Sequence, residues 1–320
     1  MTDGLEFIQQ KSDQVFEQLG RVVVGQEDVL RSLLVTIYTQ GHALLEGVPG
    51  TAKTLMVRAL ARAVSLDFSR IQFTPDLMPS DVVGTNVFDF QRSEFSLRKG
   101  PVFTDLLLGD EINRSPAKTQ AALLEAMQER RCTIDGAPYP LSRHFTVFAT
   151  QNPIEYEGTY PLPEAQLDRF MMKVIVGYPD PSAEERILEL YNHGQEPHNV
   201  EEAAITPVMT PDDLTRCQSV IKGLAMRPEL VTYIRELITA TRQSDDILVG
   251  AGPRGGIHLL LAAKAAAAFA GRDFVTPDDL QSMALPTLRH RVVLQPEAEA
   301  NGLTTDDAIK SILQRIPVPR

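Results

Sequence analysis

The sequence Gly47-Val48-Pro49-Gly50-Thr51-Ala52-Lys53-Thr54 is the stretch that decides the fold. It follows an apolar run at residues 42–46 and precedes an amphipathic run at residues 55–64, which predicts a strand, a glycine-rich loop and a helix. A loop in this place binds polyphosphate, because backbone N–H groups and the helix N-terminus surround the anion. One position departs from the usual pattern, since Ala52 stands where a second glycine normally precedes the lysine.

Each part of this phosphate loop has a predicted role. The backbone of residues 47–52 is expected to surround the phosphates, and Lys53 to reach the β- and γ-phosphates. The Thr54 hydroxyl is expected to bind Mg²⁺. The alternative is a glycine turn with an incidental lysine, which the flanking strand and helix disfavour.

The composition is that of an acidic globular chain of 320 residues with a formal net charge of -11. This charge argues against broad electrostatic binding of nucleic acid or of an anionic membrane, although it does not exclude a local basic patch. Cys132 and Cys217 have no metal-like spacing, so we expect free thiols in a reducing compartment. The N-terminus has no signal-peptide pattern, and a histidine and a lysine interrupt the apolar stretch 257–270. We therefore expect a cytoplasmic protein without stable membrane insertion.

The chain divides into two parts of different character. Strands are predicted at residues 43–45, 68–73, 105–109 and 145–149, with helices at 54–64 and 117–129 between them. Long apolar runs without alternation indicate strands covered on both faces, so residues 1–180 are predicted to form a parallel α/β sheet domain with helices on both faces. Residues 181–210 are predicted to be a linker, and residues 211–320 a smaller all-α domain.

One segment of the α/β domain has a different pattern. Residues 86–103 alternate loosely between apolar and polar side chains, which predicts an inserted β-hairpin. A plain surface loop is the alternative.

An apolar strand at residues 106–109 ends in two acids, Asp110 and Glu111. We expect this strand end to lie beside the phosphate loop, where Asp110 can hold the Mg²⁺ shell and Glu111 can polarise a water for attack on the γ-phosphate. A strand that ends in a solvated turn is the alternative for this motif taken alone. A GTPase would need a guanine-reading Asn-Lys-x-Asp, which the sequence lacks.

A third apolar strand, in the sequence 148–153, runs into a polar turn at Asn152 and Pro153. The Asn152 amide could orient the attacking water or contact the γ-phosphate. An Asn-Pro turn without a catalytic role is the reading that this motif would favour if it stood alone.

These elements in this order resemble the AAA+ ATPases, P-loop NTPases with a helical lid, and in finer detail the MoxR family. The family carries alanine before the loop lysine, as Ala52 does, and its acidic motif is similar to residues 110–114. Its sensor segment is similar to residues 149–153, and its subunit-boundary segment to residues 161–170. The resemblance extends over residues 22–291. It explains Ala52, because the position needs a small residue and alanine satisfies that need where φ stays negative.

The resemblance implies further assignments outside the phosphate loop. Val23, Val24 and Gly25 are similar to the segment that lines the adenine pocket. The hairpin at 86–103 stands where this clade carries an insert that faces the ring pore. His290 also resembles the family sequence, and for it we expect a structural role.

Two arginines gain roles through the same resemblance. Arg254 is similar to the sensor-2 arginine that reaches from the lid to the γ-phosphate, and Arg169 to the arginine finger that acts on the neighbouring subunit's ATP. The alternative for Arg169 is a structural ion pair with Asp168 or Glu164. Further candidates for the role in trans are Arg114 and Arg131.

The resemblance implies an ATP- and Mg²⁺-dependent ring ATPase, expected to be a hexamer. The implied work is chaperone-like remodelling or cofactor insertion on a protein partner that carries a von Willebrand A domain. One alternative is a nucleic-acid-dependent AAA+ motor, for which we would expect a basic extension after the lid that this sequence does not contain. The other alternative is an ATP-gated scaffold with weak hydrolysis, against which the retained Glu111 argues.

Overall fold

The structure is a computed structural model that describes residues 2–91, 93–153, 159–193 and 205–319. Residues 194–204 of the predicted linker, and position 92 of the predicted hairpin, lie outside the described residues. Within the described ranges, no helix is long and apolar enough to cross a membrane.

Strands and helices alternate in the first half of the chain, and helices dominate the second half. The strands are β1 (Ala43–Glu46), β2 (Phe68–Gln72), β3 (Gly84–Asp89), β4 (Glu94–Lys99), β5 (Leu106–Asp110), β6 (Arg131–Ile134), β7 (Ala137–Pro140), β8 (Thr146–Gln151), β9 (Met172–Ile175), β10 (Ile247–Val249) and β11 (Val293–Leu294). The α-helices are α1 (Thr2–Leu19), α2 (Glu27–Tyr38), α3 (Lys53–Ala63), α4 (Pro79–Val83), α5 (Ala117–Glu129), α6 (Glu164–Leu167), α7 (Pro181–Asn192), α8 (Pro211–Gly223), α9 (Pro228–Gln243), α10 (Pro253–Phe269), α11 (Pro277–Leu288), α12 (Pro296–Ala300) and α13 (Thr305–Arg315). A 3₁₀ helix covers Ile112–Arg114.

The central sheet has five parallel strands in the order β2-β5-β8-β1-β9. Every residue of β1, β5 and β8 is buried except the last one of each strand. The predicted parallel sheet is therefore confirmed, because strands that are covered on both faces need not alternate. β9 was not predicted, since it has four residues and Lys173 interrupts its apolar run.

The strand order corrects one expectation about the acidic strand end. β8 pairs with β1, with Thr150 opposite Leu45, and β5 pairs with the other edge of β8. Asp110 and Glu111 are therefore separated from the phosphate loop by the end of β8. All of these strand ends still meet at one edge of the sheet, because parallel strands finish on the same side.

The predicted β-hairpin is present, with slightly earlier bounds. β3 and β4 pair from Gly84 opposite Lys99 to Asp89 opposite Glu94. A second hairpin, β6 with β7, was missed. Its turn is Asp135-Gly136, both with positive φ, and an Asp-Gly pair between two short runs is the sequence signal that could have found it.

The helices after residue 210 form the helical lid. Thr210 and Thr276 cap α8 and α11 through their hydroxyls, as their sequence pattern predicts. An antiparallel pair, β10 with β11, was not predicted because strands of two or three residues carry no periodic signal. Helix α1 packs against α8 and α10, so the lid and the sheet domain share one hydrophobic core. The division of the chain at residues 180 and 211 stays a prediction.

Candidate active site

A cleft of about 540 Å³ opens at the carboxyl ends of β1, β5 and β8. The lining residues are Val22, Val24, Pro49, Gly50, Thr51, Ala52, Lys53, Thr54, Leu55, Asp110, Glu111, Thr150, Gln151, Asn152, Ile187 and Tyr191. The structure thus brings three separate sequence motifs into one cleft, because each motif follows a strand that ends at this edge of the sheet.

Close packing and unusual backbone angles shape the phosphate loop. A Cβ at Gly47 would lie 2.2 Å from the carbonyl oxygen of Val176, so only glycine fits there. Gly50 has φ +84°, which glycine adopts without strain. Ala52 has φ 60° and ψ 20°, so the expectation of a negative φ at this position is wrong. A left-handed alanine costs about 1–2 kcal/mol, and the loop geometry imposes that strain.

The Lys53 ammonium is bound to its own loop in this structure. Nζ donates to the carbonyl oxygens of Gly47 at 2.6 Å and Val48 at 2.7 Å. Burial lowers the pKa of Lys53, while the nearby carboxylates of Asp110 and Glu111 act in the opposite direction. The ammonium must therefore turn away from the loop carbonyls when it binds a phosphate.

The N-terminus of α3 can accept an anion. Its first N–H groups have no partner within the helix, and Ala52 provides no side-chain cap. The helix dipole, the loop N–H groups and Lys53 all favour negative charge at this point. Thr54, in the first turn, lines the same cleft as Asp110.

Asp110 is held by two neighbours at the end of β5. Arg70 Nη2 donates to one carboxylate oxygen at 2.6 Å, and Thr150 Oγ1 donates to the other at 2.6 Å. The Arg70 side chain is half exposed, so the pair can separate at small cost. Asp110 and Thr54 are the oxygen donors that could hold a Mg²⁺ ion in this cleft.

Glu111 lies in a strained backbone conformation just beyond β5. Its φ of 56° and ψ of 51° are left-handed values, and its N–H donates to Thr150 Oγ1 at 2.9 Å. Gln72 Nε2 donates to the Glu111 carboxylate at 2.7 Å, and Arg114 Nη1 donates to the same oxygen at 2.9 Å. In this conformation the Glu111 carboxylate is therefore engaged by two side chains.

Sequence reasoning missed Arg70, Gln72 and Thr150. Arg70 and Gln72 alternate along β2, so both face the end of β5, where Gln72 lies opposite Asp110. The signal was present, because two polar residues at positions i and i+2 are unusual in a strand of this sheet. Thr150 is buried next to Asn152, which is itself buried and lines the cleft.

The opposite end of the cleft is apolar. Val22 and Val24 line it together with Ile187 and Tyr191 of α7, and the two α7 residues were not predicted. Such a slot suits a planar base. Of the residues assigned to the adenine pocket, only Val24 lines the cleft, whereas Val23, Val24 and Gly25 line an adjacent cavity of about 380 Å³.

Arg169 and Arg254 do not line this cleft, and the reach of Arg254 from the lid to the γ-phosphate stays a prediction. Both arginines line a separate cavity of about 120 Å³. The other residues around this cavity, here called the arginine pocket, are His42, Met127, Gln128 and His258. Asp168 accepts a hydrogen bond from Arg254 Nη1 at 3.2 Å.

The predicted candidates for the role in trans differ in their pairing. Arg114 is engaged by Glu111, and Arg131 lies 3.6 Å from a Glu129 carboxylate oxygen. Among the described residues, the Arg169 side chain has no ion pair, so the predicted alternative of a pair with Asp168 or Glu164 is wrong. Arg169 is thus the candidate whose charge is available.

Comparison with known proteins agrees with this geometry. The model of the ATPase family associated with various cellular activities matches residues 42–172, and an AAA lid model matches residues 239–312. Chaperone MoxR1 of Mycobacterium tuberculosis is 42% identical over 96% of this chain and 81% of its own length. Protein MoxR of Paracoccus denitrificans is 32% identical over 94% of both chains. The chain belongs to the MoxR family of AAA+ ATPases.

The whole length of the chain shares this architecture with other proteins. An uncharacterized Bacillus subtilis protein, YeaC, is 45% identical over 95% of this chain and 93% of its own length. The crystal structure of a Cytophaga hutchinsonii protein superposes with a TM-score of 0.91 at 43% identity, covering 99% of this chain and 98% of that one. This MoxR-family chain is therefore an ATPase with a nucleotide-binding sheet domain and a helical lid.

Proposed function

We propose that this MoxR-family ATPase binds ATP with Mg²⁺ in the cleft and hydrolyses it with Glu111 as general base. The meeting of Lys53, Thr54, Asp110 and Asn152 with Glu111 in one cleft supports the proposal. Bound Mg²⁺ would neutralise charge on the phosphate oxygens, and Thr54 and Asp110 would hold it.

Two side chains must change partners before hydrolysis. Lys53 leaves the carbonyls of Gly47 and Val48 to bind phosphate, and Glu111 leaves Gln72 and Arg114 to accept a proton from water. Asn152 orients that water from the end of β8. The observed contacts of Lys53 and Glu111 therefore describe a resting arrangement of the site.

We further propose that the site is completed by a neighbouring subunit. Arg169 and Arg254 lie together outside the cleft of their own chain, and the Arg169 charge is available. A repeated head-to-tail contact would place the arginine pocket of one subunit against the cleft of the next, and such contacts close into rings. A hexamer is the ring size that the family resemblance implies.

Mixing two inactive variants tests this proposal. Glu111→Gln subunits keep intact arginines, and Arg169→Ala subunits keep an intact cleft. If the arginine acts in trans, equal mixing of the two variants restores about one quarter of the wild-type rate, since a quarter of random contacts join an intact cleft to an intact arginine. A mixture that stays inactive, or Arg169→Ala subunits that are fully active alone, would contradict the role in trans.

The work of the ring is proposed to be remodelling of a protein partner, as the name of the M. tuberculosis chaperone suggests. The β3–β4 hairpin supports this, because Phe88, Phe90 and Phe95 form an exposed cluster with ring centroids 5.2 and 5.1 Å apart. Exposed aromatic clusters mark interaction sites. A partner with a von Willebrand A domain is the one that the resemblance implies, and it should stimulate ATP hydrolysis by the wild type more than by Phe90→Ser.

A further inference from the structure

The segment Arg289-His290-Arg291, at the end of α11, binds one stretch of the sheet domain. Arg289 Nη1 donates to the Lys173 carbonyl at 3.3 Å, and His290 Nε2 lies 3.0 Å from the Phe170 carbonyl. Arg291 donates to the carbonyls of Asp168 at 3.0 Å and Met171 at 3.2 Å. The residues from Asp168 to Lys173 include the arginine at position 169, so the lid is fastened to the segment that carries it.

Arg291 is the centre of this attachment. Only 1% of its side chain is exposed, and its Nε donates to Asp168 Oδ1 at 2.7 Å. Nη2 lies 2.7 Å from His258 Nδ1, and because an arginine can only donate, this nitrogen accepts and His258 is neutral. Burial, followed by the charges of Arg291 and Arg254, lowers the pKa of His258 to about 3, which agrees with the neutral form.

Asp168 joins this buried attachment to the arginine pocket. One carboxylate oxygen accepts from Arg291 and the other from Arg254, so a single carboxylate fixes both side chains. Arg254 reaches Asp168 from α10 and Arg291 from the turn that follows α11, whereas Arg169 follows Asp168 directly in sequence. Movement of the Asp168 side chain would therefore displace Arg254 relative to Arg169.

We infer that Asp168, anchored by Arg291, is a positioning residue that keeps Arg254 beside Arg169 so that the two arginines act together on a phosphate of the neighbouring subunit. This inference rests on the proposed role of these arginines in trans. It also implies that the lid and the Asp168–Lys173 segment move as one body when the ring works, since two buried and two partly buried hydrogen bonds join them.

The test distinguishes whether Asp168 acts on the ATP of its own subunit or on the ATP of the neighbouring subunit. Asp168→Asn keeps the size of the side chain but removes the charge that holds Arg254 and Arg291. We expect at least a tenfold lower maximal rate, with the ATP concentration for half-maximal rate changed less than twofold, because the variant's own cleft is intact. Mixing with Glu111→Gln, which supplies intact arginines, should restore activity, whereas mixing with Arg254→Ala should not.

A matched control is available at the same end of α11. Arg289 pairs with Asp306 at 2.8 and 3.0 Å, away from the arginine pocket, so Asp306→Asn removes a comparable arginine–carboxylate pair. It should leave the maximal rate unchanged. The double variant Asp168→Asn with Arg254→Ala should be no slower than Arg254→Ala alone, because Asp168 acts through Arg254.

The outcomes separate the two proposals. Full activity of Arg254→Ala and Arg169→Ala would overturn the role in trans itself. A defective Arg254→Ala together with a fully active Asp168→Asn would overturn only the positioning role. The positioning role would also be overturned if Asp168→Asn were defective and mixing with Glu111→Gln did not restore its activity. A double variant that is much slower than Arg254→Ala alone would overturn it as well.

Discussion

The nucleotide cleft and the arginine pocket hold their charged groups in opposite ways. In the cleft, Asp110 and Glu111 pair with Arg70 and Arg114, whose side chains are 49% and 43% exposed. Beside the arginine pocket, Asp168, whose own side chain is 33% exposed, pairs with Arg291, whose side chain is 1% exposed. Exposed arginines contribute about 0–1 kcal/mol per ion pair, whereas a buried guanidinium is costly to leave without its carboxylate.

This difference matches what the proposed reaction asks of each region. The cleft must exchange partners when nucleotide enters, so weak pairs that occupy its carboxylates in the resting state are no obstacle. The arginine pocket must present the same geometry to a neighbour through every cycle, so its carboxylate is fixed by a buried cation. A strong ion pair in the cleft would hinder nucleotide binding. A weak ion pair at Asp168 would let the arginine pocket change its geometry.

Loss of the base in the cleft should have the largest effect. Glu111→Gln keeps the hydrogen-bonding shape of the side chain but cannot accept a proton, so we expect about a 10³-fold lower rate of ATP hydrolysis. ATP should still bind, because Lys53 and the loop are unchanged. The measurement is the rate of phosphate release at saturating ATP, together with ATP affinity at equilibrium.

The matched control for Glu111→Gln is Gln72→Ala, which removes a resting partner of Glu111 without touching the base. It should keep hydrolysis within a few-fold of the wild type, because the pair that it breaks is weak. If Glu111→Gln retained most of the rate, Glu111 would not be the base. The exchange of partners by Glu111 would then have no role in hydrolysis.

Acid should destabilise the folded protein through histidines that include two of the arginine pocket. His42 is buried there and His258 is half-buried, and burial, with nearby arginines, lowers the pKa of each to about 3. In the unfolded chain histidine titrates near 6.5, so between pH 7 and pH 5 the unfolded state gains protons that the folded state does not. The contribution of these neutral histidines to the free energy of unfolding is therefore fully present above about pH 6.5. It falls by about 2 kcal/mol for each histidine as the pH drops to 5.

Thermal unfolding measured at intervals from pH 7 to pH 5 tests this prediction. His258→Asn should reduce this decline by about 2 kcal/mol, the amount expected from one histidine. An unchanged decline in His258→Asn would mean that His258 takes up a proton in the folded protein. In that case Arg291 would not be donating to its ring.

The two regions also differ in how far sequence could predict them. The phosphate loop, Asp110, Glu111 and Asn152 were found because each follows an apolar strand, and parallel strands end at one edge. The partners of the two acids were missed, since Arg70 and Gln72 meet them only through a strand pairing that the sequence does not state. The position of β8 between β1 and β5 was not predicted, for the same reason.

The arginine pocket was less accessible to sequence reasoning. The resemblance selected Arg169 and Arg254 separately, but their meeting depends on how α10 and α11 pack on the sheet domain. His290 had no assigned mechanism, and the structure gives it a buried contact with the Phe170 carbonyl, as a structural role requires. Long-range contacts between helices leave no periodic signal in either partner.

The smallest expected effect concerns the strained loop of the cleft. Ala52→Gly should relieve left-handed strain of about 1–2 kcal/mol, offset by the roughly 0.5–1 kcal/mol entropic cost of glycine. We expect a net gain in stability of about 0.5–1 kcal/mol, seen as a slightly higher unfolding temperature. ATP affinity should fall a few-fold, because the freed loop must be ordered again around the phosphates.

Ser65→Gly is the matched control, since Ser65 also has a positive φ, of 51°, and does not line the cleft. It should gain similar stability without any change in ATP affinity. If Ala52→Gly instead bound ATP more tightly than the wild type, the strain at Ala52 would be larger in the phosphate-bound loop than in the resting loop. The left-handed alanine would then oppose the phosphate-bound form, whereas a loss of affinity that is confined to Ala52→Gly means that alanine prepares the loop for the nucleotide.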